Sequence, residues 1–265
     1  MVSDGAEGGI VRDPAPAVGR SIRLLGLIAE AGRALTLTEL AAGLGLAKSS
    51  TANLCLSLEA ERMIERVPLG YRLGIRTAEL GGAFAAQFNQ VREFYAVCET
   101  SSVLATELVQ VAVLDDTDAL YLARYEGSRT VRLGTPLGSR LPAALSATGR
   151  ALLMTRSDDD VREMLSRGRP LPRLTSHSTV DVDAVLEKIA AARGRGWAID
   201  EEESFRGIVG VAVPLEGWAP GDPQLALGVG IPVADATSER VARVGAALRT
   251  AARALTNPFS ASRPS

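Results

Sequence analysis

Five residues with charged or hydrogen-bonding side chains lie within six consecutive positions of the N-terminal part of the chain. They are Lys48, Ser49, Ser50, Thr51 and Asn53. A lysine can neutralise a phosphate, and hydroxyl groups together with the free N–H groups of a helix N-terminus can bind phosphates or base edges. The amide of an asparagine suits a bidentate contact with adenine N6 and N7. The types and spacing of these residues therefore predict contacts to double-stranded DNA.

The residues before this cluster predict the helix-turn-helix that would present it. Thr36 and Glu39 have the spacing of a capping box, so a helix should begin just after Thr36. Gly43 and Gly45 supply the backbone freedom that a sharp turn needs, and a second helix should follow at the polar cluster. In such a motif the start of the second helix enters the major groove. The alternative is an ordinary helical hairpin, in which these hydroxyl groups are simple caps.

A short hairpin is predicted after the second helix. Met63–Val67 and Tyr71–Leu73 have the composition of strands, and Pro68-Leu69-Gly70 between them has that of a turn. Arg66 and Arg72 would then lie on a wing that flanks the second helix along the DNA backbone.

The composition sets the class of protein. With 265 residues, of which 46% are hydrophobic and 23% charged, the chain has the length of two modest domains and the balance of a soluble globular protein. The net charge of −2 gives no argument for nucleic-acid binding, but residues 17–79 carry eight basic and six acidic residues. No apolar run reaches the ~18 residues of a membrane span. Two cysteines form no disulfide framework, which fits a reducing cytoplasm.

Residues with catalytic potential are few. His177 is the only histidine and lies in a loop rich in Ser and Thr, so neither a zinc site nor a Ser-His-Asp set is supported. The acidic turn at 115–118 lacks the glycine and the distal glutamate of a calcium loop. An enzyme would need the acidic cluster at 200–203 as its acid and base groups, and we expect that cluster to be a solvated bend or the lip of a pocket. The sequence predicts no cofactor, no metal and no catalytic residue.

The rest of the chain predicts helices and strands of an α+β fold class. The expected helices are Gly19–Ala31, Arg76–Ala86, Asn89–Thr106, Leu141–Met154, Ser157–Arg167, Val180–Arg193 and Ser238–Leu255. The expected strands are Val109–Leu114, Ala119–Tyr125, Thr130–Leu133, Trp197–Asp200, Val209–Pro214 and Leu225–Pro232. Pro142 should begin the helix Leu141–Met154, and Gly194 should end the helix Val180–Arg193. Leu80, Ala83 and Phe84 are candidates to pack against a second copy of the chain.

Three stretches of the chain resemble one known family. LTLTELAAGLGLAKSST with the later YRLG, VRLGTPLGSRLPAALSATGRALLM and RGWAIDEEESFRGIVGVAVPL are similar, in order and spacing, to the IclR-type bacterial transcription regulators. The likeness runs from about Gly19 to about Asn257. It implies an N-terminal winged helix-turn-helix domain joined by a linker helix to a GAF-like α+β effector-binding domain. The implied boundaries are a disordered leader 1–16, the DNA-binding domain 17–75, the linker helix 76–90, the effector-binding domain 91–258 and a tail 259–265.

The resemblance also implies an effector pocket in the second domain. The residues that match ligand-contacting positions of the family are Ala147, Thr148, Gly149, Asp200, Gly210, Gly228 and Gly230. Relatives that bind small carboxylates such as glyoxylate have Cys at the position of Gly210 and Ser at those of Gly228 and Gly230. Glycine at all three positions predicts a larger pocket with fewer hydrogen-bond donors, which favours a bulkier or aromatic acid. Strand glycines also occur at bulges and tight packing sites, and that alternative stays open.

Together these observations predict a sequence-specific DNA-binding transcription regulator that an organic or aromatic acid controls. It would bind a palindromic operator as a homodimer or homotetramer. The candidate DNA contacts are Lys48, Ser49, Ser50, Thr51, Asn53, Arg66 and Arg72. Many relatives have Arg at the position of Asn53, so the base preference stays open, as does activation against repression. The alternatives are an enzyme of small-molecule catabolism with a fused helical domain, and a sensor module that no longer binds DNA.

Overall fold

The computed structural model describes residues 14–85, 89–129, 135–167, 170–218 and 222–256. The chain divides into two compact units, Met1–Phe84 and Ala85–Ser265. The predicted strand at 130–133, most of the predicted leader and the predicted tail lie outside the described residues. The elements of the first unit are α1 (Pro16–Ala31), α2 (Leu37–Leu44), α3 (Lys48–Ala60), β1 (Ile64–Val67), β2 (Gly70–Leu73) and α4 (Ile75–Ala85).

The turn between α2 and α3 forms as its local sequence requires. The hydroxyl of Thr36 accepts from the Glu39 N–H at 3.3 Å, and the Glu39 carboxylate accepts from the Thr36 N–H at 2.8 Å, which completes the predicted capping box. Gly45 ends α2 with a φ of +65°, a conformation that glycine adopts freely. Gly43 has another role, since a Cβ there would lie 2.8 Å from the Leu27 side chain. It therefore permits close packing of α1 against α2.

The hairpin after α3 has the predicted form and one additional contact. Val67 pairs with Gly70, so Pro68 and Leu69 form a tight turn between β1 and β2. Leu35 adds a bridge to Tyr71, with backbone hydrogen bonds of 2.9 and 2.8 Å. These contacts fasten the hairpin to the start of α2.

The second unit is built on a six-stranded sheet in the order β5-β4-β3-β8-β7-β6, with antiparallel neighbours throughout the pairs described. Its strands are β3 (Leu108–Asp115), β4 (Asp118–Glu126), β5 (Arg140–Pro142), β6 (Ala198–Glu201), β7 (Ile208–Leu215) and β8 (Leu225–Pro232). Its helices are α5 (Asn89–Thr100), α6 (Ala147–Leu153), α7 (Asp158–Ser166), α8 (Val182–Arg195) and α9 (Ser238–Ala254), with short 3-10 turns at Leu104–Thr106 and Val233–Asp235.

The two faces of this sheet carry side chains of different size. Under α5 and α9 the core contains large apolar residues, among them Phe94, Val111, Val213, Leu227 and Leu248. Under α6 the buried residues are mostly alanines, including Ala112, Ala198, Ala212 and Ala226. Small side chains let a helix approach a sheet closely. The second face is therefore the one where helix and sheet meet with little space between them.

Three predicted helix boundaries are wrong. Pro142 ends strand β5, which pairs with β4, and the following helix begins at Ala147 because the Ser146 hydroxyl caps it by accepting from the Gly149 N–H at 3.1 Å. The helix predicted at 180–193 runs to Arg195 and ends at Gly196, where φ is +86°. The helix predicted at 89–106 stops at Thr100 and is followed by a separate 3-10 turn.

Candidate functional site

The start of α3 presents polar side chains to solvent. Lys48, Ser49, Ser50 and Asn53 are all exposed, while Cys55 and Leu58 on the other side of the helix are buried in the core of the first unit. The helix is thus anchored along one side. The predicted DNA contacts lie on the side that a duplex can reach.

Thr51 is an exception among the predicted contacts. Its side chain is 0% exposed, and its hydroxyl donates to the carbonyl of Ala47 at 3.1 Å. The prediction that Thr51 contacts DNA is therefore wrong for this arrangement. Its position in the helix turns it toward the core, and its hydroxyl adds a second hydrogen bond to the Ala47 carbonyl, which already accepts from the Thr51 N–H.

The two arginines of the hairpin are exposed but have different surroundings. The guanidinium of Arg66 lies 6.0 Å from the centre of the Tyr71 ring, at the edge of cation–π range. Arg72 pairs with Glu65 on the neighbouring strand, with 2.8 Å between Nη2 and Oε2. Both partners are more than half exposed, so the pair is weak, yet it offsets part of the charge that Arg72 would offer to a phosphate.

A small cavity lies between α6 and the sheet of the second unit. Asp200, Gly210 and Gly230 form one row across strands β6, β7 and β8. The cavity has a volume of about 40 Å³. Six of the seven residues that the resemblance pointed to line it, namely Ala147, Thr148, Asp200, Gly210, Gly228 and Gly230. The structure thus brings together residues that are far apart in sequence.

Gly149 is the seventh residue, and it does not line the cavity. A Cβ at this position would lie 2.2 Å from the Cα of Ala143, and its N–H already donates to the Ser146 hydroxyl. Gly149 is therefore needed for a close backbone approach at the start of α6. Its assignment as an effector contact is wrong for this arrangement.

The larger pocket expected from the strand glycines is also not found. A Cβ on Gly228 would lie 2.5 Å from Cγ2 of Thr148, and one on Gly210 would lie 3.0 Å from Cβ of Ala147. Side chains of α6 occupy the room that larger side chains at these two positions would need. For these two glycines the packing alternative holds, since a cavity that takes up benzene has about 150 Å³.

Sequence reasoning missed several polar residues that line the cavity, among them Tyr121 and Gln110. Tyr121 and Thr148 hydrogen-bond through their hydroxyl groups at 2.9 Å, and burial raises the pKa of Tyr121 to about 12. The Gln110 amide donates to the Thr135 backbone and hydroxyl oxygens at 3.0 Å. A signal was present for Gln110, because it is the one polar residue in the apolar run of β3.

Asp200 is the charged residue in the lining of the cavity, and it is 5% exposed. Its Oδ1 accepts from the N–H groups of Glu203 and Ser204 at 2.7 and 3.3 Å, which fixes the orientation of the carboxyl group. Burial raises its pKa to about 6. Ser204 also lines the cavity, and among the described residues its buried hydroxyl has no hydrogen-bond partner. These two side chains are available to a bound molecule.

Glu203 and Arg150 form a buried ion pair beside the cavity. Two parallel hydrogen bonds of 2.7 Å join them, and each side chain is 1% exposed. Although burial alone would raise the pKa of Glu203, Arg150 and Lys188 lower it to about 2. Of the two expectations for 200–203, the solvated bend is wrong for Asp200 and Glu203, which are buried, whereas Asp200 lies in the lining of a pocket as the other expectation had it. The pair links α6 to the end of β6.

Other reactive groups in the described part of the chain are unremarkable. His177 is exposed, and both cysteines are buried and free. Burial raises the pKa of Cys55, and that of Cys98 to about 12, which keeps both thiols protonated. Within the described ranges no group of three or more His, Cys, Asp or Glu could hold a metal ion. No described helix is both long and apolar enough to span a bilayer.

Comparisons with known proteins cover both units. The model of the bacterial transcriptional regulator IclR C-terminal domain matches residues 90–257, and that of the IclR helix-turn-helix domain matches residues 17–68. The chain is 28% identical to the transcriptional repressor IclR of Escherichia coli over 259 residues, 94% of each chain. It is also 28% identical to the acetate operon repressor of Salmonella typhimurium, over 92% of this chain and 90% of the relative.

Solved structures agree with this assignment. An IclR homolog from Microbacterium hydrocarbonoxydans, complexed with 4-hydroxybenzoate, superposes with a TM-score of 0.76 at 26% identity, over 93% of this chain and 100% of that one. An IclR transcriptional regulator from Alicyclobacillus acidocaldarius shares the fold with a TM-score of 0.79 at 24% identity, over 91% and 97%. The predicted fold class is confirmed. The protein belongs to the IclR family of bacterial transcription regulators, with a DNA-binding helix-turn-helix domain followed by an effector-binding domain.

Proposed function

We propose that this protein is a repressor that binds a palindromic operator as a homodimer or homotetramer in the cytoplasm and responds to an organic acid. The observation that carries the proposal is that the polar side chains at the start of α3 are exposed to solvent. Lys48 would neutralise a phosphate, Ser49 and Ser50 would bind phosphate or base edges, and Asn53 would read a base. Arg66 and Arg72 would follow the DNA backbone from the hairpin.

The salt dependence of DNA binding tests this proposal. Each lost phosphate contact lowers the slope of log K against log salt by about 0.9. Lys48→Ala should reduce the slope by about one such step, and adding Arg72→Ala should reduce it by less than a second step, because Glu65 already offsets part of the Arg72 charge. Arg92→Ala, an exposed arginine of the second unit that pairs with Glu93, is the matched control. An unchanged slope in both variants would remove these residues from the interface.

We infer that the effector enters the cavity lined by Asp200, Gly210 and Thr148. The complex of the Microbacterium homolog with 4-hydroxybenzoate supports an aromatic acid, whereas the cavity of about 40 Å³ would have to open to admit one. A three-carbon acid needs less movement of α6. Melting of the second unit should be followed with 4-hydroxybenzoate and with pyruvate, because both tryptophans, Trp197 and Trp218, lie in that unit. A shift with neither acid would argue against an organic acid of either size.

The two alternatives have less support. Relatives of this chain are named regulators and repressors. An enzyme would need the acidic cluster at 200–203 as its acid and base groups, but Glu203 is held in an ion pair with Arg150, and Asp200 is the one carboxyl group in the lining of the cavity. Release of a chemically altered ligand would revive that alternative. A sensor that no longer binds DNA would show no enrichment of any sequence from a random DNA pool.

A further inference from the structure

The exposed side of α3 contains one large apolar residue. Residues spaced by three or four positions share a face of a helix, so Ser49, Asn53 and Leu56 form one stripe. Leu56 is 62% exposed, whereas Leu58 and Cys55 of the same helix are buried in the core. The leucine lies outside the core of its own unit, beside the residues expected to read DNA.

The surface that this stripe would meet is almost entirely polar. In the major groove each base pair presents hydrogen-bond donors and acceptors, and the only apolar group is the C5 methyl of thymine. An isobutyl side chain placed there finds a complementary partner only at a thymine. Opposite any other base edge it would remove water from donors and acceptors without replacing their hydrogen bonds.

We propose that Leu56 is a specificity-determining residue that packs on the C5 methyl of one thymine in each half-site. The inference rests on the proposed function, because it needs α3 in the major groove. With a rise of 1.5 Å per residue, Leu56 lies about 4.5 Å along the helix from Asn53, or one to two base pairs of about 3.4 Å. The selected thymine should therefore lie within two base pairs of the base that Asn53 contacts.

The test begins with sites that the full-length protein itself selects from random double-stranded DNA. Each thymine of the selected site is then replaced, one at a time, by deoxyuridine, which removes only the methyl group. Affinity should fall about fourfold at one position of each half-site, the effect of one lost methyl contact. Leu56→Ala should bind the thymine site more weakly and show no further loss on uracil. Leu137→Ala, at an exposed leucine of the second unit, should keep the uracil effect.

Each other result has a definite meaning. The assignment would be overturned if replacing thymine by uracil changed the affinity at no position of the site. It would also be overturned if Leu56→Ala still lost affinity when uracil replaced the selected thymine. Equal weakening on all DNA together with a smaller assembly in sedimentation would make Leu56 a contact between protein chains instead. Since Leu56 is exposed, the melting temperature of Leu56→Ala should match that of the wild type. If no sequence is enriched from the pool, the proposed function fails, and this inference fails with it.

Discussion

Asp200 places an ionisable group where solvent hardly reaches. Its carboxyl group is held by two backbone N–H groups, and Arg150 of α6 is the charged group that acts on it from a neighbouring element. Burial outweighs the attraction of Arg150, which already pairs with Glu203, so the pKa of Asp200 rises from 3.8 to about 6. A ligand that brings a hydrogen-bond donor, or a proton, is thus favoured at this side chain.

The raised pKa of Asp200 predicts a pH-dependent stability. Between its ordinary pKa of 3.8 and about 6, the folded state binds more protons than the unfolded state, so stability falls as pH rises through this range. The effect amounts to about 3 kcal/mol for a pKa difference of about 2. Asp200→Asn keeps the acceptor oxygen but cannot ionise, so in urea unfolding followed by tryptophan fluorescence it should lack this loss. Asp159→Asn, on the exposed side of α7, should show the same pH dependence as the wild type. If the free energy of unfolding of Asp200→Asn also changed with pH in parallel with the wild type, the prediction would be contradicted.

The buried pair of Arg150 and Glu203 predicts a large cost when one partner is removed. Glu203→Gln leaves the Arg150 charge without a counter-charge at 1% exposure, which should lower the free energy of unfolding by about 3–5 kcal/mol. Replacing both by Met and Leu should recover most of this loss. Glu201→Gln, at an exposed neighbouring carboxylate, is the control. Because the pKa of Glu203 is about 2, the ion pair contributes its full stability above about pH 4.5 and loses it as pH falls toward 2. Equal stability of the single and double variants would contradict this account.

Where α6 packs on β8, the Thr148 side chain limits the size of the side chain that position 228 can carry. A methyl group on Gly228 would lie 2.5 Å from Cγ2 of Thr148, so Gly228→Ala should destabilise the second unit by about 1–3 kcal/mol. Thr148→Ser removes that Cγ2 and keeps the oxygen that pairs with Tyr121. The double variant should therefore melt close to Thr148→Ser alone. Strictly additive losses in a thermal unfolding series would show that the contact is not the cause.

Elements with strong local signals could be predicted from sequence, and tertiary positions could not. The capping box at Thr36 and the strand predicted at Val209–Pro214 depend on neighbouring residues, and both are present in the structure. Pro142 suits a helix start, but pairing of β5 with β4 places it in a strand, a long-range effect that local patterns do not contain. Thr51 looked like a DNA contact because its residue type fits, whereas its direction depends on where the core lies. The cavity residues followed from the resemblance, but its size depended on how closely α6 approaches the sheet.

For the whole molecule, one copy of the chain offers too small a reading surface. The stripe from Ser49 to Leu56 spans about 10 Å, or roughly three base pairs, which does not specify one site in a genome. Two copies on half-sites about 34 Å apart would double the sequence that is read. The first unit has apolar side chains available to join such copies: Val18 and Ile22 on α1, and Ile75 and Leu80 on α4, are all about half exposed or more.

The exposed apolar residues of α1 and α4 predict that assembly and operator binding are lost together. Ile22→Glu and Leu80→Glu place charges on surfaces that a partner would bury, and since both residues are 64% and 49% exposed, the fold of one copy should persist. Sedimentation should show smaller particles. Affinity should fall steeply for a two-half-site operator and hardly at all for an isolated half-site, because the loss is one of linkage rather than of contacts. Leu174→Glu, at an exposed leucine of the second unit, should change neither quantity. Unchanged particle size in both variants would place the contact between copies elsewhere, and equal losses on the half-site and the full operator would mean that α1 or α4 supports α3 directly.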